Sequence, residues 1–325
     1  MRNRRSRATP SVILAATGLL AAGVLAAGLL AGPASAGAAG NYPVGTAATG
    51  YAALLADPGS APPGVNVWSC QPSAAHPRPV VLLPGTLYTL ADSFAALGPV
   101  LANAGYCVFG LDYGQTVLTT LSGGRVAAAG DIPASAQQLS TFVDKVRNAT
   151  GAAKVDIVGW SQGGMMPRYY LRFLGGASKV GALIGLASSS HGTTLNGAFS
   201  LLAGSVPALT PALFGLIGCP ACAQQASTAP FIATLNAGGD TIPGVHYAVI
   251  ETTRDEVVTP YQSAFLSGPD VDNLLLQRQC PGDAADHLGI PYDSVAIQDV
   301  VNELGPRAAG FTPDCALALP IVGTP

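Results

Sequence analysis

The chain has 325 residues, 49% of them hydrophobic and 10% charged, with 15 basic against 18 acidic side chains. That is ample apolar material for one large core, and the balance of charge excludes the basic footprint of a nucleic-acid binder. No repeat of fixed period and no block of like charge divides the sequence.

Arg2, Arg4, Arg5 and Arg7 lead into an uncharged run from Ser11 to Leu30, followed by Ala34-Ser35-Ala36. Basic, apolar, small-x-small is the order of a secretory signal peptide cut after Ala36, which predicts an extracellular protein. The run is near the roughly 20 residues that span a bilayer, so a retained anchor is the rival reading. Arg4-Arg5 leaves twin-arginine export open beside the general route. Removal of residues 1–36 takes four arginines and no acid, leaving 11 basic against 18 acidic residues, a formal −7.

An Ala/Gly/Pro-rich arm is expected over 37–63, then one domain over 64–325. Short apolar runs bounded by turn signals follow: Pro79 to Leu83, Tyr106 to Leu111, Val155 to Gly159, Val180 to Ala187 and Val245 to Ile250. Their lack of alternation suits strands buried on both faces. Helix-length segments lie between and after them, at Ser93 to Ala104, Ala134 to Ala149, Gln162 to Leu174 and Ser294 to Leu304. Strand alternating with helix predicts a mostly parallel, doubly wound α/β sheet with its site beyond the carboxyl ends of the strands. The stretch from His191 to Leu235 breaks this order, being apolar and marked by Pro207, Pro211 and Pro220. It reads either as ordinary packing of an insertion or as an apolar wall or mobile lid over the site, with 197–229 as its centre.

Six cysteines, Cys70, Cys107, Cys219, Cys222, Cys280 and Cys315, all fall in the exported part, an even count that predicts three disulfides. Cys219-Pro-Ala-Cys222 also has redox or zinc spacing, but no second close pair and no nearby histidine accompanies it, which favours a local structural disulfide.

Gly159-Trp160-Ser161-Gln162-Gly163 is a weak signal by itself in a chain with 40 glycines. Its context is stronger: a strand ends before it and a helix begins after it, so Ser161 falls on the strand-to-helix turn of a nucleophile elbow. A serine nucleophile needs a base, and of His76, His191, His246 and His287 only His287 follows all the predicted strands. His191 and His246 are expected to be hydrogen-bonded structural residues. The orienting acid should lie between the two, just beyond a strand. Thr252-Thr253-Arg254-Asp255-Glu256-Val257-Val258 supplies such a loop, and Asp255 is the first choice, with Glu256, Glu251 and Asp240 as rivals. Oxyanion donors are expected from the N–H of Gln162 and from Thr86 in the turn Pro84-Gly85-Thr86-Leu87, which otherwise reads as a plain strand end. Together these residues predict an α/β-hydrolase fold cleaving carboxylic esters through an acyl-enzyme, without metal or organic cofactor.

The pieces Pro84-Gly85-Thr86, Trp160-Ser161-Gln162-Gly163-Gly164, Thr253 to Val258 and Asp286-His287, in this order, resemble the bacterial class 2 lipases and the Candida-type lipase B group. The resemblance spans about Cys70 to Cys315. It implies Thr86 and Gln162 as the oxyanion hole, a disulfide Cys70–Cys107 and another, Cys280–Cys315, bracing the loop of His287. Cys219 and Cys222 have no counterpart, and Gly197 to Ala229 departs from the family, so lid behaviour does not carry over. A lipid or other ester substrate at an oil–water interface is the expected partner, with short-chain or polyester cleavage and acyl transfer on the same triad as alternatives. A silent binding protein on the same scaffold is the reading from another class. Asn148-Ala149-Thr150 is a glycosylation sequon.

Overall fold

The computed structural model describes residues 40–197 and 210–316, together with 319, 322 and 323. The expected signal peptide and the run from Ala198 to Leu202 lie outside the described residues. No described helix is long and apolar enough to cross a membrane.

The described strands are β1 (Val80–Leu83), β2 (Val108–Gly110), β3 (Val155–Trp160), β4 (Val180–Leu186), β5 (His246–Glu251) and β6 (Val271–Leu275). They form one sheet in the order β2-β1-β3-β4-β5-β6, every neighbouring pair parallel. The described helices are, in chain order, α1 (Ala47–Ala56), α2 (Leu90–Ser93), α3 (Leu97–Asn103), α4 (Val117–Leu121), α5 (Ile132–Thr150) and α6 (Gln162–Phe173). After these come α7 (Thr210–Leu216), α8 (Pro220–Gln224), α9 (Pro230–Asn236), α10 (Leu276–Gln279) and α11 (Ser294–Leu304).

All four residues of β1 and all six of β3 are buried. Along β1, Val81 and Leu83 pack with Leu139 and Val143 of α5 and Met165 and Met166 of α6, while Val80 and Leu82 pack with Leu97 of α3 and Val295 of α11. Successive side chains thus serve opposite layers, which is why the strands read as unbroken apolar runs. The order changes direction between β1 and β3, and a doubly wound sheet opens a crevice beyond its carboxyl ends at that point. Thr86 follows β1 and Ser161 follows β3, so both are delivered to the crevice.

In three places the structure differs from the sequence reading or adds to it. The expected helix over 93–104 is two, α2 and α3. A continuous helix would set the Pro99 ring against the Ala95 carbonyl; that carbonyl instead accepts the Gly45 N–H at 2.9 Å. Part of the expected arm is ordered against the domain: α1 lies in it, and Asn103 exchanges hydrogen bonds with the Tyr42 backbone at 2.8 and 2.9 Å. Strand β6 is the third. It is the edge of the sheet and mostly half-exposed, so Asp272 and Asn273 replace the apolar run that marks an inner strand.

Candidate active site

Ser161 sits between β3 and α6 at φ 56° and ψ −121°, a backbone conformation that side chains other than glycine rarely adopt. The turn persists because its surroundings leave no alternative. A Cβ on Gly159 would run into the Gly163 carbonyl, and one on Gly163 into the Leu83 carbonyl at the end of β1. The motif's glycines therefore let the elbow close on itself and on its neighbouring strand. Gln162 opens α6, so its N–H is among those with no partner inside the helix and lies at the positive end of the helix dipole.

Beyond β5 the chain turns through Thr252 to Val258. Asp255 Oδ1 accepts the N–H groups of Val257 and Val258 at 2.8 and 2.6 Å, while Oδ2 lies 2.8 Å from His287 Nδ1. Both side chains are buried, at 0% and 3% exposure, so this contact is little screened by water. Glu256, the nearest rival, takes a different place: its Oε2 accepts the His287 backbone N–H at 3.3 Å, and burial raises its pKa. Glu251 is fully buried behind Asp255, and Asp240 pairs with His191 and Arg168.

The loop carrying His287 is tied down from several sides. Trp160 donates its indole N–H to the His287 carbonyl at 3.0 Å, and its ring lies 5.5 Å from the imidazole. Tyr88 packs edge-on against the same indole. The Thr252 hydroxyl donates to the Ala285 carbonyl at 2.7 Å, linking the loop of Asp255 to that of His287. The Cys280–Cys315 disulfide lies just upstream.

The turn after β1 is shaped by Leu87 at φ 69°, and its Thr86 hydroxyl donates to Gln162 Oε1 at 2.7 Å. Gln225, at the end of α8, completes this group. Its Nε2 donates to the Thr86 hydroxyl at 2.7 Å and to Gln162 Oε1 at 3.0 Å, and its own Oε1 accepts from Ser189 at 2.8 Å. Gln162 Nε2 is buried with no partner among the described residues.

Ser161, His287, Thr86 and Gln225 all line one cavity of about 260 Å³. Its remaining wall is largely apolar, with Leu195, Phe214, Val257, Val258 and Leu288, and with Cys222 of the 219–222 disulfide. Phe214 and Cys222 come from α7 and α8, so the part of the expected insertion that is described forms a wall of the site. The sequence-predicted residues thus meet at one place. Gln225 and the buried network around Trp160 were not expected; a lone amide pair, Gln224-Gln225, in an otherwise apolar insertion was the available signal.

The other histidines lie in different settings. His76 stacks on Tyr106, and His191 is held between the Ser263 carbonyl and Asp240 at 2.9 and 3.0 Å. His246 opens β5 at the opposite, amino-terminal edge of the sheet, 2.8 Å from Glu303 and 2.9 Å from Asp270. His246, Asp272 and Glu303 bring ligand-type atoms within 4.8 Å of one another. The Arg307 guanidinium, 2.7 Å from Asp272 and 3.3 Å from His246 Nδ1, already supplies the positive charge there. All six cysteines are paired, Cys70–Cys107, Cys219–Cys222 and Cys280–Cys315.

Comparison with solved structures shows the same fold. Aspergillus fumigatus lipase B superposes with a TM-score of 0.57 at 24% identity, over 75% of this chain and 56% of that one. The mature Bacillus licheniformis lipase BlEst2 superposes with a TM-score of 0.52 at 16% identity, over 72% of this chain and 94% of that one. This protein therefore spans little more than half the length of the Aspergillus chain. The sequence profile of the family "Lipase (class 2)" matches residues 77–283, which include the turn after β1, the elbow and the loop of Asp255 and stop four residues short of His287. With most of the sheet and two of the three loops of the site inside that match, the chain belongs to the class 2 lipases.

Proposed function

We propose that the protein is a secreted serine hydrolase that cleaves carboxylic esters of lipids, with Ser161 as nucleophile, His287 as base and Asp255 as orienting acid. The observation that carries this reading is the meeting of a strained Ser161 elbow with the buried His287–Asp255 pair at one apolar cavity. Ser161 Oγ attacks the ester carbonyl as His287 Nε2 takes its proton. Asp255 holds Nδ1 protonated and stabilises the imidazolium. The carbonyl oxygen becomes an oxyanion facing the Gln162 N–H, the Thr86 N–H and the Thr86 hydroxyl, which turns from Gln162 Oε1 to the new charge. His287 returns the proton to the departing alcohol, leaving an acyl ester on Ser161. Water then attacks by the same path and releases the acid.

The apolar wall from Leu195, Phe214, Val257, Val258 and Leu288 supports an acyl chain rather than a polar acid. Around it, Leu213, Leu216 and Ile217 are 50%, 83% and 49% exposed. A Cβ on Gly218 would touch Val117 and Leu118, so α4 is adjacent and its exposed Val117 and Leu121 extend the same greasy rim. Such a rim suits a dispersed lipid surface. Three disulfides suit an oxidising, extracytoplasmic compartment. The test is hydrolysis of acylglycerols of rising chain length below and above their solubility limit. Turnover rising once long-chain substrate disperses is expected; a preference confined to dissolved short esters would replace the lipase by an esterase.

A further inference from the structure

β5 ends in a carboxylic acid, Glu251, that is wholly buried. The chain turns so that Asp255, four residues on, lies against it, placed for a hydrogen bond between the two side chains. Carboxylate oxygens are acceptors only, so such a bond needs a proton on one of the two. The remaining contacts say which. Glu251 Oε1 accepts the Thr252 N–H at 2.8 Å. Asp255 already takes two backbone N–H groups on Oδ1 and faces His287 Nδ1 with Oδ2. Glu251 Oε2 is buried, and among the described residues no N–H or hydroxyl donates to it. An ionised oxygen left there would be an uncompensated buried charge, whereas a protonated one becomes a donor to its neighbour.

We propose that Glu251 is a positioning residue for the acid of the triad: a neutral carboxylic acid that donates its Oε2–H to Asp255. This rests on the reading of Asp255 as the triad acid. Burial first, and then the negative charge of Asp255, hold the Glu251 carboxyl well above the usual carboxylate range. The pair behaves as two carboxyl groups with one proton between them, as like charges in contact must. Leu275 is its neutral neighbour on β6, Asp255 is the charge that acts on it, and His287 lies next beyond. The donated hydrogen bond fixes the Asp255 carboxylate and draws off part of its charge, so the imidazolium is stabilised enough to form and still gives its proton to the leaving alcohol.

The test compares Glu251→Gln and Glu251→Leu by kcat, KM and pH profile on a water-soluble ester, with Asp255→Asn measured in parallel. Glu251→Leu removes the donor and leaves the full negative charge of Asp255 facing the imidazole. It is expected to lower kcat by about ten- to a hundredfold with KM little changed, and to move the acidic limb of the profile to higher pH. The Gln side chain keeps both a donor for Asp255 and an acceptor for Thr252, so Glu251→Gln recovers most of the lost kcat and returns the limb toward the wild-type position. An infrared difference between wild type and Glu251→Gln at neutral pH should show the carbonyl stretch of a protonated acid in the wild type alone. An ionised Glu251 would instead give a limb that moves to lower pH in Glu251→Gln and no such stretch, and would overturn the proposal even if Glu251→Leu failed to fold. A folded Glu251→Leu with unchanged kcat and unchanged limb would overturn it as well. Undiminished kcat in Asp255→Asn would overturn the triad reading itself, whatever the Glu251 variants do.

Discussion

Gln225 Nε2 donates to the Thr86 hydroxyl at 2.7 Å across 139 residues of sequence. By occupying a lone pair of that oxygen, the amide leaves the hydroxyl proton to point elsewhere, toward Gln162 Oε1 in the structure and, in the proposed mechanism, toward the oxyanion. Thr86→Val is expected to lower kcat by about a hundred- to a thousandfold. Gln225→Leu should lower it by about tenfold, with KM little altered, because the donor remains but is no longer aimed. Steady-state kinetics on one soluble ester check both, and equal activity of Gln225→Leu and wild type would remove Gln225 from the site.

Asp255→Asn places an amide where His287 Nδ1–H now meets a carboxylate. If the amide N–H turns toward the ring, the imidazole takes the wrong tautomer, and a loss in kcat of about ten-thousandfold is expected. Glu256→Gln should lose far less, since that carboxylate accepts the His287 backbone N–H while Asp255 faces the ring nitrogen. A reversed ranking of the two variants would give the acid's role to Glu256.

The disulfides should separate stability from specificity. Cys280–Cys315 closes 35 residues and Cys219–Cys222 only three. Loop entropy therefore assigns about 3 to 4 kcal/mol to the first, and Cys280→Ser with Cys315→Ser is expected to lower Tm by more than about 5 °C. Cys219→Ser with Cys222→Ser should move Tm less and shift the chain-length preference, because Cys222 lines the cavity. Calorimetry and a chain-length series on each double variant test the contrast.

Among the described groups remote from the cavity, His246 makes stability depend on pH. Burial disfavours its charged form, but the hydrogen bonds it donates to Glu303 and Asp270 outweigh that, and its pKa is raised above the usual histidine value. A raised folded-state pKa means the native protein holds the proton longer than the unfolded chain. The contribution is full below about pH 6.5 and is lost as pH rises through the folded value. His246→Asn should flatten this fall; urea unfolding at pH values on both sides of that window checks it, and an unchanged slope would assign the dependence to another group such as His191, whose pKa Asp240 raises.

Much of the fold was legible because burial on both faces writes a strand as an unbroken apolar run, as in Val155 to Trp160. β6 was not, since an edge strand carries Asp272 and Asn273 without disturbing the core. The elbow was legible because Gly159 and Gly163 are required by backbone contacts local to the motif. Gln225 and Glu251 differ in kind. Their significance comes from partners brought together by the sheet, Thr86 in one case and the carboxylate of Asp255 in the other, and neither pairing leaves a pattern along the chain.

The identity of Ser161 as nucleophile is tested most directly by reacting the protein with an alkyl phosphonate ester and locating the adduct by mass spectrometry of its peptides. One phosphonate per chain on Ser161, with esterase activity lost in step with labelling and no labelling of Ser161→Ala, is the expected result. Full inactivation with the adduct on another residue, or ester turnover persisting in Ser161→Ala, would contradict it.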